Sequence, residues 1–390
     1  MTEGSHEGRP VAIVGAGIAG LTAALSFARK GIATDILEQS SVLSETGAGV
    51  QLSPNATRIL SKLGLGHQLE KVWSEPSAIC LVSGTSLRTL ASVPSGAFAR
   101  DRWGSPYGVL HRADLQMILT AAVEAEPLCR LHLGARIDDP SRGSVATLTG
   151  REPGLVVGAD GVWSKIRTHV QGAGKPRFSG NVAWRLTLGE ADAPAVFDTT
   201  KVTAFLGGGS HLVAYPLPKI RSFNVIAITG GQDPHAAPDR TMPLGDVRKQ
   251  LIAAFAGWHP QIANMLQNAQ DPTIWPLYEV NEGAWNEREN IVLIGDAAHA
   301  MMPFAAQGAA MAIEDAFELA SFVADGKPLA AFVDQRKTRV ARVRSRGAFN
   351  RFAYHARGPI RLGRDLVLSM RRPESLAADF DWLYGYQPRD

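Results

Sequence analysis

The chain of 390 residues carries only two cysteines, Cys80 and Cys129. They stand far apart and in no metal or redox spacing. They imply unpaired buried thiols in a reducing, cytoplasmic setting rather than a disulfide framework. No apolar run approaches the ~18 residues that a membrane-spanning helix requires, which argues against a membrane partner. The opening stretch MTEGSHEGRP has no signal-peptide pattern and is expected to be loose. A net charge of +3 is too small to imply a nucleic-acid partner. Repeats and low-complexity linkers are missing too. With 45% apolar and 20% charged residues, disordered and fibrous classes are excluded, and the length suits two domains or one large domain with an insertion.

What is present begins at Val11–Val14, four apolar residues that read as a buried strand. Gly15, Gly17 and Gly20 follow in G-x-G-x-x-G spacing, and Leu21–Lys30 continues as an amphipathic helix. The first glycine permits the tight turn, the second admits a pyrophosphate, and the third lets the helix approach its strand. The helix N-terminus then offers free N–H groups and a positive dipole end to phosphates. After Gly31, Thr34–Leu37 forms a second strand ending on Glu38, an acid suited to a ribose 2′-hydroxyl. This pattern predicts an adenine dinucleotide site for FAD or NAD rather than NADP, with Gly15, Gly17, Ala19, Gly20 and Glu38 as contacts. The loop Ser44–Gln51 bears Gly47 and Gly49, and its place after Glu38 makes Gly49 and Val50 further candidates.

Ser53 as N-cap and Pro54 at the first helical position predict a helix through Leu63. Ile79–Val82 and Leu87–Leu90 read as short strands, and Arg112 precedes a helix over Asp114–Ala125. Leu131–Leu133, Val145–Leu148 and Leu155–Val157 suggest a small meander. The last of these runs into Gly158-Ala159-Asp160-Gly161 and a helix over Val162–Val170. From Val182 to Thr229 the texture changes to four alternating strands separated by polar or Gly-rich turns, and Val247–Ala256 and Pro260–Ala269 return to helix. Asn290–Ile294 is another apolar strand, ending in Gly295-Asp296-Ala297-Ala298-His299, with Pro303 and a small-residue helix over Ala305–Phe322 behind it. His299 has no second ligand at metal spacing, so no metal is expected. The tail from Pro328 reads as an arginine-rich helix with a solvated face. Phe380–Tyr384 is expected to dock the terminus by aromatic burial.

The three junctions GAGIAG…Glu38, GADG…Arg167 and GDAAH…Pro303 stand in an order and spacing that resemble the single-component flavoprotein aromatic monooxygenases, among them salicylate and 4-hydroxybenzoate hydroxylases. The resemblance covers essentially the whole chain. It implies an α/β fold: a Rossmann-like FAD-binding domain (1–178 and 273–325), an inserted β-sheet substrate domain (179–272) and a helical C-terminal segment (326–390). It implies FAD as cofactor, NADH or NADPH as electron donor, O₂ and a small aromatic acid as substrates, and a monomer or homodimer. By the resemblance, Arg112 reaches the phosphoribityl region and Asp160, braced by Arg167, serves FAD and NAD(P)H binding. Gly295 and Asp296 meet the ribityl chain, and Pro303, Gly308 and Ala309 lie by the flavin ring. Ala306 departs from the glycine that many members carry before Gln-Gly, which bears on loop mobility.

His211 and Tyr215, four apart in one strand, fall on the same face. In related hydroxylases of 3-hydroxybenzoate and hydroxypyridine acids, a His and a Tyr at similar places contact the phenol. The resemblance thus makes them the catalytic pair, a base being useful because the flavin C4a-hydroperoxide is an electrophile and a phenolate the better nucleophile. Arg185 is either the partner of a substrate carboxylate or a strand-edge charge, and Pro303 is the other substrate contact. Rival readings are a quinone-biosynthesis hydroxylase, a non-catalytic FAD-binding redox protein, and a plain NAD-dependent dehydrogenase that would leave the second and third junctions unexplained.

Overall fold

The computed structural model describes residues 8–43, 49–233, 244–269 and 272–389. The opening seven residues and Gly47 lie outside them. A six-stranded sheet runs in the order Asn286–Glu287, Ile291–Leu293, Leu155–Gly158, Val11–Val14, Thr34–Glu38, Cys129–Leu133. All its pairings are parallel except that of the two-residue edge strand. Parallel sheets are covered on both faces, so their strands are apolar on both sides. VAIV obeys this rule, with all four residues buried. The helix Ile18–Arg29 covers one face and packs against Gly308–Ala324. Alanine and glycine along both helices let them approach closely.

A second sheet has seven strands, ordered Thr273–Glu279, Arg177–Gly189, Ser222–Gly230, Ser210–Leu217, Lys201–Leu206, Ala78–Ser83, Thr89–Pro94. It therefore recruits strands from both sides of the 179–272 stretch. Alternation divides its faces. Trp184, Phe205, Leu212 and Val225 point into a separate core that Leu251, Phe255 and Ile262 complete from the two neighbouring helices. The opposite face carries His211, Val213 and Tyr215 toward the dinucleotide unit. Thr273, Arg185, Ile226, Val213, Ala204 and Leu81 are paired directly across five strand pairs, so they form one row on that inner face.

Three local expectations need correction. Val145–Leu148 is not a strand: it lies in the helix Arg142–Thr149, which Ser141 caps by accepting from Ser144 N and which ends on left-handed Gly150. Its would-be partners are parallel strands of the central sheet, not a meander. Residues 162–170 hold only the short 3₁₀ turn Ile166–His169 instead of a helix. Ser53 precedes the helix Pro54–Lys62 but makes no cap bond. Its hydroxyl instead donates to Asn55 Oδ1 at 2.6 Å.

The C-terminal arginines also depart from expectation. Along the helix Leu329–Tyr354, Arg336 is fully buried, with Nε on Asp315 Oδ1 at 2.7 Å and a second nitrogen on Glu314 Oε2 at 2.9 Å. Arg339 joins Glu314 at 2.8 Å and donates to the carbonyls of Trp382 and Leu383. Arg344 donates to the carbonyls of Val280, Asn281 and Ala300. The row is a clamp, because the acids that meet it lie on the neighbouring helix. The terminus docks as its aromatics predict: Tyr384 packs on Trp103 at 4.9 Å and Phe380 at 5.0 Å, while Trp103 donates to Asp381.

Removing one partner of a buried, hydrogen-bonded ion pair strands the other charge, at a cost of about 3–5 kcal/mol. Arg336→Met is therefore expected to lower unfolding free energy by about that amount in urea titrations, with Arg29→Met, at an exposed surface contact, as a near-neutral control. Ala306 sits at φ +52° closing the 3₁₀ turn Pro303–Ala305, a left-handed conformation that costs a non-glycine residue about 1 kcal/mol. Ala306→Gly relieves it but widens the unfolded ensemble. A net gain of up to about 1 kcal/mol in the same titration is expected.

Candidate active site

The first two junctions and the third converge where the central strands end, the usual ligand position of an open parallel sheet. Gly15 has φ +104°, and a Cβ there would stand 2.6 Å from the carbonyl oxygen of Ala159, so the first turn abuts the GADG turn. A Cβ on Gly20 would collide with the Gly15 carbonyl, which is the close helix–strand approach that the motif demands. Gly17, by contrast, faces open space. It caps the helix Ile18–Arg29 with no side-chain bond and no acid in the first turn, leaving N–H groups for an anion. Glu38 stands at the strand end, accepting from Ala16 N at 2.9 Å and Ser40 N at 2.8 Å. Two of its acceptor positions remain for ribose hydroxyls.

The other motif residues gather around this turn. Gln116, on the helix Arg112–Ala125, donates to the Ala16 carbonyl, and His111 pairs with Gly49 in a two-stranded ribbon that also holds Val50. Arg112 is thereby set beside Gly49 and Val50. Asp160 accepts from Ser164 Oγ at 2.5 Å and from Lys165 N and Ile166 N, so it caps its own turn. Arg167 does not brace Asp160 through a hydrogen bond. It donates to the carbonyls of Val162 and Ala297, tying GADG to GDAAH, and burial lowers its pKa. Gly295, at φ +58°, lies against Ala19, and Asp296 beyond it is exposed. The helix Gly308–Ala324 starts at Gly308-Ala309 with no side-chain cap, because Gln307 turns inward to Ser53. Two uncapped helix starts, an open glycine and an acid with spare acceptors fit an extended FAD.

Beside this crevice a cavity of about 350 Å³ opens between the inner face of the seven-stranded sheet, the 303–306 turn and the C-terminal helices. His211, Pro303, Phe304, Gln51, Tyr107 and Arg346 are among its walls. His211 is 1% exposed, packed on Phe304 at 5.0 Å and Tyr354 at 5.3 Å, with Nδ1 2.9 Å from His355 Nε2. Burial, then the neighbouring His355, pushes its pKa well below the ordinary imidazole value. Tyr215 shares its face but packs on Gly49, where a Cβ would overlap the ring, and lies outside the cavity wall. Burial raises its phenol despite the Arg185 charge. Arg185 sits over Trp275 at 4.7 Å, likewise away from the wall.

Sequence reasoning missed His355, Tyr354 and Arg346, all contributed by the end of the long helix. Arg346 lies over the Phe380 ring at 4.5 Å and 4.0 Å from Asp379, with its buried Nε unpartnered. Asp379 is mainly engaged by Arg371 at 2.6 Å, so this wall carries more positive than negative charge. The deep carboxylate cluster next to the crevice pairs His299 Nε2 with Asp315 Oδ2 at 2.5 Å. Burial alone would raise Asp315, but His299 and Arg336 overcome it and hold the carboxyl at about 2. No group of metal-binding side chains occurs among the described residues.

Comparison with known proteins agrees with this geometry. The FAD binding domain family matches residues 9–327. The chain is 35% identical to a 3-amino-4-hydroxybenzoate 2-monooxygenase of Streptomyces platensis, over 99% of this chain and 98% of that one. It is 32% identical to 3-hydroxybenzoate 6-hydroxylase 1 of Aquipseudomonas alcaligenes, over 96% and 97%. Its fold matches a salicylate hydroxylase solved with substrate at a TM-score of 0.76, with 21% identity over 98% and 97%. The chain belongs to the FAD binding domain family, and within it to the FAD-dependent aromatic-ring monooxygenases that draw electrons from NAD(P)H.

Proposed function

We propose that the chain hydroxylates a small phenolic acid of the salicylate or 3-hydroxybenzoate kind, or a hydroxynicotinate-like heteroaromatic acid. The observation that carries this reading is His211, buried on the cavity wall across from the 303–306 turn that leads into the uncapped helix start. Bound FAD supplies hydride acceptance from NAD(P)H and the activation of O₂. The chain's own residues bind, orient and deprotonate the ring. With Nδ1 engaged by His355, Nε2 is the nitrogen of His211 left for the phenol, and an uncharged imidazole is the form able to accept its proton. Tyr215 holds the strand against Gly49 and so fixes the cavity's depth toward the cofactor.

A substrate carboxylate needs a cation, and position favours Arg346 over Arg185. Arg346 borders the cavity, whereas Arg185 lies away from its wall. The apolar remainder of the wall keeps water from the reacting ring. Unpaired Cys80 and Cys129 accord with work in the reducing cytoplasm, as a monomer or homodimer.

The test is NADH and NADPH oxidation by the flavin-loaded protein against hydroxybenzoates and hydroxypyridine acids, with products identified by mass. One ring that quickens oxidation and gains an oxygen establishes the substrate, and loss of CO₂ as well marks a salicylate-type reaction. If no ring quickens oxidation, the phenolic-acid reading fails and the quinone-ring or redox-protein reading replaces it. With the productive ring, His211→Gln is expected to lower kcat roughly 100-fold. Arg346→Gln is expected to raise KM about tenfold or more, and Arg185→Gln to change it much less.

The same histidines set a pH dependence of stability. His355 is held at about 4 by burial and by Arg351 and Arg357, and His211 is lowered as well, while an unfolded histidine titrates near 6.5. Below that value the unfolded chain binds more protons than the fold. The contribution is therefore complete above about 6.5 and lost as pH falls toward about 4. Thermal melts across that window should show the decline, reduced in His355→Gln.

A further inference from the structure

Taking His211 as the group that meets the substrate hydroxyl, which rests on the reading above, leaves a difficulty. A side chain 1% exposed among Phe304, Tyr354 and the sheet has no solvent to stabilise an imidazolium. A lone base there would gain a proton in a place that resists charge. Its Nδ1, however, is hydrogen-bonded to His355 Nε2 at 2.9 Å, and His355 is only part-buried, at the end of the helix Leu329–Tyr354. We propose that His355 is the outer member of a two-histidine relay that carries the substrate's phenolic proton from His211 to solvent.

The balance is simple. His211 begins as the Nδ1–H tautomer and His355 as its Nδ1–H tautomer. The phenol O–H bond breaks and its proton joins His211 Nε2. The proton on His211 Nδ1 passes to His355 Nε2, and the His355 Nδ1 proton leaves to water. Both rings finish neutral, as Nε2–H tautomers, and the phenolate remains in the cavity. The reverse transfers return a proton to the ring oxygen before product leaves and reset both tautomers. At no point does His211 carry a lasting charge.

The surroundings of His355 hold it in this role. Its backbone carbonyl accepts from Gly209 N at 3.1 Å, fixing it to the turn that precedes His211. Gly209, at φ +87°, leaves room for Arg357, whose guanidinium would overlap any side chain there. The groups facing His355 are His211 from the sheet, Phe304 from the 303–305 turn, Arg351 from its own helix, and Arg357 from the segment after it. The two arginines are cationic, so they disfavour storage of the proton on His355 and favour its release. Among the described residues no acid is hydrogen-bonded to it. His355 does not line the cavity; it acts through His211 and is a positioning residue.

The test mixes holoenzyme in a stopped-flow instrument with 3-hydroxybenzoate or 6-hydroxynicotinate in weak buffer containing a pH indicator. Benzoate, which lacks the hydroxyl, is the control. Wild type is expected to release a proton with a hydroxylated ring and none with benzoate. His355→Gln keeps a hydrogen-bonding side chain but cannot pass a proton. It is expected to release the proton at least about tenfold more slowly and to lower kcat about tenfold, with KM within about threefold. Release at the wild-type rate in that variant overturns the relay. Should His355→Gln lose flavin or melt early, the wild-type rate in mixed H₂O and D₂O decides. More than one proton in flight bends its dependence on deuterium fraction, and a straight line overturns the relay. A wild type that neither releases a proton nor hydroxylates any ring of the substrate panel overturns instead the substrate reading beneath it.

Discussion

The structure depends on a carboxylate pair shut away from solvent. Glu314 and Asp315 lie side by side on the helix Gly308–Ala324, both buried, and each of their ties leads to a different part of the site. Asp315 Oδ1 takes Arg336, while Oδ2 takes His299 and the Gly295 N–H at 2.9 Å. Glu314 takes Arg336, Arg339 and the Asn55 amide at 2.7 Å, and Asn55 in turn leads to Gln307 and Ser53. Burying these charges is expensive, and only near-complete hydrogen bonding offsets the cost. What the arrangement supplies is registry. One arginine on the C-terminal helix fixes the GDAAH turn, the start of the helix Gly308–Ala324 and the entry to Pro54–Lys62 relative to one another.

That network explains why the C-terminal helix ends where it does. Its first turns are anchored by Arg336 and Arg339, its middle by Arg344 on three carbonyls, and its last turns reach the cavity beside the crevice. A helix advances about 1.5 Å per residue, so the eighteen steps from Arg336 to Tyr354 span about 27 Å. A rigid rod of that length carries registry from the carboxylate pair to Tyr354 and His355. The segment that reads as a tail is thus a wall of the cavity beside the crevice.

Local chemistry was legible and distant chemistry was not. The strand, glycines and acid of the first junction sit within twenty-eight residues, Val11 to Glu38, and each constrains its neighbours directly. The inner face of the second sheet was legible for the same reason, since alternation puts His211 and Tyr215 on one side. Arg336 looked solvated because its partners are 21 residues away on another helix, and nothing in a helical row of arginines announces that an acid pair waits opposite. His355 was invisible for a stronger reason, lying 144 residues from His211. Val145–Leu148 misled in the other direction. Its β-leaning residues form a helix because Ser141 and Gly150 punctuate it, and such punctuation outweighs weak propensity.

Charge management links the two halves of the molecule. In the deep cluster Asp315 stays ionised because His299, Arg336 and the Gly295 N–H surround it, so its charge is structural. At the cavity the order is inverted: His211 and His355 are uncharged at neutral pH, and the neighbouring wall holds an excess of arginine over acid. The cavity thus sets arginines on one wall and neutral His211, backed by His355, on another. A histidine kept neutral beside a phenol attracts its proton without competing for the charge left behind, whereas a permanent cation would hold the phenolate and blunt its nucleophilicity. The fold thereby keeps its fixed charges apart from its buried, neutral histidine pair.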